Sequence, residues 1–292
     1  MRALNFDLKQ LCYRNRDGSY ATQANRNQIL QLIADQLHGS GFRNLRGTGL
    51  RPKHIEALTE RWQAQSLNPG TIKNRMAQLR WWAEKIGKRS IIANDNAAYG
   101  IAERQLVGTA SKARTLTDRE LARITDPYTA MSLRLQAAFG LRRAESIKIQ
   151  PAWADRGNVL VLRPSWCKGG RAREIPIRTA AQGGLLREAK SLAGRGSLIP
   201  PDSRFVEQLN RFIYQCAQAG IHRVHGHRHA YAQARYRELT GWDAPAVGGP
   251  YARSLSPEQR AIDHHARLTI SRELGHERSQ VTAVYLSCRG DA

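Results

Sequence analysis

The sequence predicts a mainly α protein with a small antiparallel β-sheet, an α+β chain arranged as two domains. Three observations carry that prediction. Apolar residues recur at helical spacing through residues 20–88, before any strand-like segment appears. Two short β-prone stretches, Val159–Leu162 and Arg173–Ile177, then flank a Lys168-Gly169-Gly170 turn. Helical patterning resumes after them, except over 241–257, which is rich in Gly, Pro and Ser and reads as a loop. A chain of 292 residues is long enough for two modest domains, each with its own core.

Residues 1–19 are polar with little periodicity. A helix is expected to begin after Thr22, with Ile29, Leu32, Ile33, Gln36 and Leu37 on one face and Gly39 and Gly41 ending it. A second starts at Pro52, a favourable first helical position, and turns Ile55, Leu58 and Trp62 inward. The third is the clearest. Asn68-Pro69 reads as N-cap and first position, and Ile72, Met76, Leu79, Ala83 and Ile86 form a stripe that Gly87 stops. Its other faces carry Lys73, Arg75, Arg80 and Lys85. A solvated face accounts equally well for any one of these; as a set they suggest phosphate contacts.

From Lys88 to Arg114 the pattern decays, and the linker is expected near 108–113, dividing a domain at 1–110 from one at 111–292. Thr117-Asp-Arg-Glu120 is a capping box that opens the second domain. A helix is expected over about 128–147, followed by the β-hairpin and then by further helices. Near the end, a helix running into Leu274, stopped by Gly275 and followed by a short second helix, would bring His276 and Tyr285 together.

Charge is the loudest bulk property: 46 Lys+Arg against 24 Asp+Glu, net +22. Residues 1–110 carry 17 basic and 8 acidic side chains and the remainder 29 and 16, so both halves are basic. A basic tail on a neutral enzyme would not produce this distribution, whereas two domains gripping one polyanion would. Arg greatly outnumbers Lys, which suits bidentate phosphate contacts. A ribosomal or RNA-binding protein would share this charge. No apolar run approaches the roughly 18 residues of a membrane span, and the N-terminus lacks the apolar core of a signal peptide. Cys12, Cys167, Cys216 and Cys288 are scattered without a CxxC pair, which fits a reducing compartment and argues against a disulfide scaffold or zinc ribbon.

Four places in the second domain hold residues suited to one chemistry: Arg142, Lys168, His225 with Arg228, and His276 with Tyr285. Breaking a phosphodiester without metal or water needs a nucleophile, and a tyrosine can serve through a covalent intermediate. Paired guanidiniums match the charge developing on the nonbridging oxygens. A lysine at a hairpin tip can protonate the departing 5′ oxygen, and a histidine can assist proton transfer at the tyrosine.

In order and spacing, Gly140-Leu-Arg142-x-x-Glu145, Lys168 before a Gly turn, His225-x-x-Arg228-His229, and Leu274-Gly-His276 with Tyr285 nine residues on resemble the tyrosine recombinase (phage integrase) family. The resemblance covers about Thr115 to Leu286, and the helical unit at 20–88 looks like the family's core-binding domain. It implies a site-specific DNA recombinase of a mobile element, acting through a 3′-phosphotyrosyl link with no cofactor and no metal. In it Arg142 and Arg228 would clamp the scissile phosphate, Tyr285 attack, and Lys168 protonate the leaving 5′-hydroxyl. His225 would be general base and acid, His276 a phosphate donor, and Glu145 the support that holds active-site side chains in place. The resemblance also implies a clamp on double-stranded DNA, a homo-oligomer (tetramer) on it, no membrane, and a bacterial cytoplasmic setting; a monomer stays open for the free protein.

Alternatives stand beside these assignments. Arg143 could replace Arg142, although the Gly-Leu-Arg register favours Arg142, and Glu145 could be a surface ion pair. Arg171 and Arg173 compete with Lys168. His222, His225, His227 and His229 could be read as a metal cluster, a reading weakened by the absence of acidic or thiol partners and by Arg223 and Arg228 nearby. Tyr214, Tyr231, Tyr236 and Tyr251 read as packing. Two departures from the family pattern are visible. Arg228 and His276 are 48 residues apart, about twice the usual interval, and the surplus is expected as an insertion near 242–260. Only seven residues follow Tyr285, so subunit contacts are expected from elsewhere, such as residues 1–19 or the insertion. Two rival functions remain: a type IB topoisomerase-like nicking-closing enzyme, which the Gly-His-to-Tyr spacing disfavours, and a catalytically silent DNA-binding protein of the same fold.

Overall fold

The computed structural model describes residues 2–104, 110–276 and 279–287, and clusters into two compact units, Met1–Gln105 and Leu106–Ala292. The first unit is helical: α1 (Ala3–Arg14), α2 (Tyr20–Gly39), α3 (Pro52–Ala64) and α4 (Pro69–Lys85), with 3-10 turns at Arg89–Ile91 and Ala97–Tyr99. The unpatterned start expected over residues 1–19 is thus corrected to a helix. Leu4 and Leu8 are buried and Leu11 packs beside them, a thin i, i+4, i+7 stripe laid on α2. Asp7 pins α1 by accepting from Arg46 at 2.8 and 3.0 Å and from the Gly47 N–H at 2.9 Å.

α2 begins earlier than expected because Ser19 Oγ caps it, accepting from the Thr22 N–H at 3.3 Å. Its inner face is Leu30, Ile33, Ala34, Gln36 and Leu37. Leu32, expected inward, is exposed, since at about 100° per residue it falls off the Leu30–Ile33–Leu37 stripe. α3 and α4 bury the expected Ile55, Leu58 and Trp62, and Ile72, Met76, Leu79 and Ala83. Trp62 and Trp82 are fully buried with their indole N–H groups matched, donating to Gln36 Oε1 at 2.8 Å and the Gly47 carbonyl at 2.7 Å.

The second unit runs α5 (Asp118–Leu121), α6 (Pro127–Phe139), α7 (Arg143–Lys148), α8 (Pro151–Ala154), β1 (Val159–Leu162), β2 (Arg173–Pro176), α9 (Ala180–Ala193), α10 (Phe205–Gln218), α11 (Gly226–Thr240), α12 (Pro257–Glu273) and α13 (Ala283–Leu286). β1 and β2 pair antiparallel, with Val159 opposite Pro176 and Leu162 opposite Arg173. α11 is the central helix, packed on α6, α12 and α13. Around it Phe139, Leu160, Ile175, Leu186, Ile270 and Leu286 form the main core.

Two expectations change here. The single helix expected over 128–147 is two helices, because Gly140 adopts φ +60° and ends α6 before Arg143 restarts the chain as α7. No side chain fits at that corner: a Cβ on Gly140 would stand 2.6 Å from Tyr231 Cδ1. The loop after α11 is a packed connection with 3-10 turns at Pro245–Val247 and Ala252–Ser254. Ala244 is fully buried in it, Trp242 Nε1 donates to Tyr236 Oη at 3.2 Å, and the Pro245–Val247 turn rests on α13. Among the described residues no helix is long and apolar enough to cross a membrane.

Gly140→Ala is expected to lose about 3 kcal/mol of stability, from left-handed strain and overlap with Tyr231 together. Gly157→Ala, at φ +85° with open space around it, should lose about 1 kcal/mol, from strain alone. Denaturant unfolding of the two variants measures the difference; equal losses would contradict this account of the corner.

Candidate active site

Arg228 is the third residue of α11 and is 1% exposed. Its Nε donates to Tyr285 Oη at 3.1 Å and its Nη1 to the Gly140 carbonyl at 2.5 Å. Nη2 donates to the Leu274 carbonyl and lies 3.2 Å from His276 Nε2. Burial disfavours the cation and pulls its pKa down to about 10, so it stays charged at neutral pH. The start of α11 is fixed from outside by Arg114, whose N–H donates to the Gly226 carbonyl at 3.1 Å and whose carbonyl meets His227 Nδ1 at 2.9 Å.

Tyr285, on the short helix α13, is 4% exposed. Its hydroxyl lies 3.4 Å from His225 Nε2, its ring 4.6 Å from that of His229, and its carbonyl accepts from Gln233 Nε2 at 2.9 Å. His225, His229 and Gln233 follow one another at i+4 along α11, and each touches Tyr285. Sequence reasoning gave a catalytic role to His225 alone; His229 entered it only through the motif and the metal reading, and Gln233 did not enter it. Their i+4 spacing is the signal that could have found them.

Glu145 is fully buried below Arg142. It accepts from the Arg142 N–H at 2.6 Å and from Arg142 Nη1 at 2.8 Å, which ties the guanidinium to the first turn of α7. Arg173 closes the carboxylate from the other side, with Nη1 and Nη2 donating at 2.8 and 2.7 Å. Burial would raise the Glu145 pKa, but the hydrogen bonds and charge of Arg173, then Arg142, bring it down to about 2. Glu145 is therefore a buried, doubly paired carboxylate, not a surface ion pair. Arg173, one competitor for the role of Lys168, is itself buried and committed to Glu145. Lys168 is exposed in the loop between the Pro164–Trp166 turn and β2. Arg143 is exposed and lines a 510 Å³ cavity with His222 and Arg223.

His276 follows the left-handed Gly275 at φ +66°, and its N–H donates to the Ser271 carbonyl at 2.8 Å. Burial, then the charge of Arg228, Arg142 and Arg173, depresses its pKa to about 4. Partial burial and the charge of Arg228 and Arg142 lower His225 too. His229 falls to about 4, by burial first and then by the charges of His225, Lys112 and Arg228. The site thus offers a phenol hydroxyl between a buried guanidinium and a neutral imidazole, with a second guanidinium and another imidazole beside it. Such an array suits an oxyanion and a nucleophile.

The other sequence-selected residues lie elsewhere. Arg80 donates to the Ala93 carbonyl at 3.1 and 2.9 Å and to Asn96 Oδ1, pinning the chain after α4. Lys85 pairs with Asp17 at 3.1 Å, Arg75 stands 5.4 Å from the Trp62 ring centre, and Lys73 is partly exposed. Tyr231 and Tyr236 are buried and donate to Glu273 and Asp263 at 2.7 and 2.6 Å, while Tyr214 and Tyr251 are exposed. His227 turns to the Arg114 carbonyl, and among the described residues no group of three or more His, Cys, Asp or Glu could hold a metal ion. Cys12, Cys167 and Cys216 are free thiols; Cys288 lies outside the described residues.

Comparison with known proteins follows the same lines. Among solved structures, a lambda integrase dimer bound to a COC′ core site superposes with TM-score 0.63 at 15% identity, over 99% of this chain and 78% of that one. The XerH site-specific recombinase bound to a palindromic difH substrate gives 0.59 at 14% identity, over 96% and 80%. The Tn1549 transposon integrase with circular intermediate DNA gives 0.54 at 13% identity, over 98% and 96%. At these identities the likeness is one of fold. No curated protein matches the chain by sequence. Two family descriptions do match, "Phage integrase, N-terminal" over residues 1–92 and "Integrase" over residues 103–234. Together they span well over half of its length, and the chain belongs to the tyrosine recombinase (phage integrase) family.

Proposed function

We propose that this chain is a site-specific DNA recombinase that cleaves and rejoins duplex DNA through a 3′-phosphotyrosyl intermediate, in the integration or excision of a mobile element. The observation that carries the reading is the convergence on Tyr285. Its hydroxyl lies within hydrogen-bond reach of Arg228, in the first turn of α11, and close to His225 at that helix's N-cap, with Arg142 and His276 in the same charged surroundings.

Tyr285 Oη attacks the scissile phosphorus and its proton passes to His225 Nε2. As the P–O5′ bond breaks, the Lys168 ammonium protonates the departing 5′ oxygen. Arg142 and Arg228 match the charge that builds on the nonbridging oxygens, Glu145 steadies Arg142, and His276 donates to a phosphate oxygen. A 5′-hydroxyl from a partner strand then attacks the phosphotyrosine, and the same groups run in reverse.

Exchange between two duplexes requires four such sites, so the acting form is a tetramer on double-stranded DNA. The lambda integrase tetramer bound to a Holliday junction is similar in fold to this chain, with TM-score 0.61. Both halves of the chain are basic, and binding would come mostly from phosphate contacts with steep salt dependence. In the helical unit Lys73, partly exposed, is proposed to meet phosphate. Arg75, Arg80 and Lys85 would have to exchange internal contacts for phosphates. α1 and the connection at 242–260 remain the proposed sources of subunit contact.

Tyr285→Phe is expected to bind DNA as wild type does and to form no SDS-resistant adduct in cells. Adducts at wild-type level would remove Tyr285 from the role. Sequencing the captured DNA separates the nearer rival: adducts focused on one inverted-repeat site mark a recombinase, and tyrosine-dependent adducts scattered over the genome a topoisomerase. Lys168→Ala should slow cleavage of a duplex built from the captured sequence by about 10²–10⁴. A bridging 5′ sulfur, which leaves without a proton, should restore the rate to within about tenfold. Absence of that rescue would transfer the acid role elsewhere. His225 must be neutral to accept the proton, and its surroundings hold its pKa below 6.5. Cleavage should therefore be insensitive to its titration above neutrality and fall about tenfold per pH unit only below that depressed pKa. A half-maximum above pH 6.5 would exclude His225 as the base.

A further inference from the structure

We propose that Arg173 is a positioning residue for strand cleavage: it holds the Arg142 clamp, the loop carrying Lys168 and the turn carrying His276 in one fixed arrangement. The inference rests on the recombinase reading for the reaction it serves, and on its own geometry for the link it makes.

Arg173 opens β2, and its side chain is 4% exposed. Its fork grips both oxygens of Glu145, which on its far side holds the backbone N–H and guanidinium of Arg142. The Nε donates to the Glu273 carbonyl at 2.9 Å, at the end of α12. Its stem fills the space above the next turn, where a Cβ on Gly275 would stand 2.9 Å from Arg173 Cδ. The Nη1 also reaches Cys167 Sγ at 3.5 Å, the residue before Lys168. One buried guanidinium thus joins the start of α7, the β-hairpin loop and the turn after α12. Glu145 directly holds Arg142, Cys167 precedes Lys168, and Glu273 lies three residues before His276.

This arrangement depends on the shape of the donor as well as its charge. A lysine could keep one contact to Glu145 but could not span both oxygens and the Glu273 carbonyl together. The charged and titratable groups around Glu145 are Arg142 at the N-cap of α7, Arg173 on β2, Cys167 in the loop, His225 at the N-cap of α11, Arg228 within α11, and His276 after α12. Without Arg173 the carboxylate keeps its burial and loses its strongest partner. It then takes up a proton at higher pH and releases Arg142.

The test uses the full chain with Arg173→Lys, Arg173→Gln and the neutral pair Arg173→Gln/Glu145→Gln. The pair removes both charges together, so neither Glu145 nor Arg173 is left as the unpaired member of their ion pair if a single variant fails to fold. Amide hydrogen exchange requires no DNA, and adduct formation is followed on a nicked duplex built from the sequence captured in cells. In all three variants, exchange at residues 163–172 and 274–276 should rise together by about tenfold or more, while amides of α6 and α9 keep wild-type protection. Affinity for the duplex should stay within about threefold, and the adduct rate should fall about 100-fold with no rescue by lysine. Arg173→Gln should gain a second acid limb, set by Glu145 and absent from wild type and from the neutral pair, beside the limb that His225 gives to all of them. Unchanged exchange in the two segments, recovery by lysine, or wild-type cleavage by the neutral pair would overturn the proposal. If the wild type forms no adduct on any DNA, the recombinase reading fails, and the exchange pattern still decides whether Arg173 ties the segments together.

Discussion

A guanidinium taken out of water must find acceptors for its N–H groups, and Arg228 draws them from separate stretches of chain. Gly140, Leu274, His276 and Tyr285 each give it one contact, so the end of α6, the end of α12 and the tyrosine helix are all referred to α11. The backbone is shaped to allow this. Gly140 at φ +60° ends its helix with the carbonyl aimed at Arg228, and Gly275 at φ +66° turns the chain back so that His276 meets the same group. The glycines of the two motifs therefore hold their places for conformational reasons, and the chemistry follows from the corners they make.

Charge in the site is out of balance. Arg142, Arg173 and Arg228 surround one buried carboxylate, Glu145, and burial first, then this surplus of positive charge, disfavours protonation of His225 and His276. Two imidazoles consequently stay neutral beside cations at neutral pH, one of them close to the tyrosine hydroxyl. A phosphodiester, whose charge spreads and grows during attack, would offset that surplus. α13 is only four residues long, far below the length at which a helix persists unaided. Gln233 holds the Tyr285 carbonyl and Arg267 the Ser287 carbonyl at 3.3 Å, while Arg267 and Tyr236 share Asp263 at 2.7 and 2.6 Å. The Pro245–Val247 turn of the long connection packs on the same helix.

Much of this was legible in the residues. The stripes of α3 and α4, the capping box at Thr117, strand Val159–Leu162 and the Gly275 turn are local patterns, and local patterns survive folding. What was missed depends on distant partners. α1 has only Leu4, Leu8 and Leu11 to bury among polar neighbours, and α2 supplies the other half of that contact. The break at Gly140 was hidden inside a helical pattern, because the need for glycine comes from Tyr231, 91 positions away along the chain. Arg80 and Lys85 look identical to free surface cations in sequence, yet Arg80 is held by the chain that follows its helix and Lys85 by Asp17, between α1 and α2. Arg173 was weighed only against Lys168. Its real partner, Glu145, lies 28 residues earlier and across the sheet's end.

The most direct test of the chemistry is the identity of the modified residue itself. Covalent complexes would be trapped by denaturing cells that express the full chain, digested with nuclease and protease, and read by tandem mass spectrometry. The account predicts a nucleotide joined through its 3′-phosphate to Tyr285 and to no other tyrosine. A nucleotide on Tyr214, Tyr231, Tyr236 or Tyr251, or a 5′-phosphate linkage at any site, would contradict it.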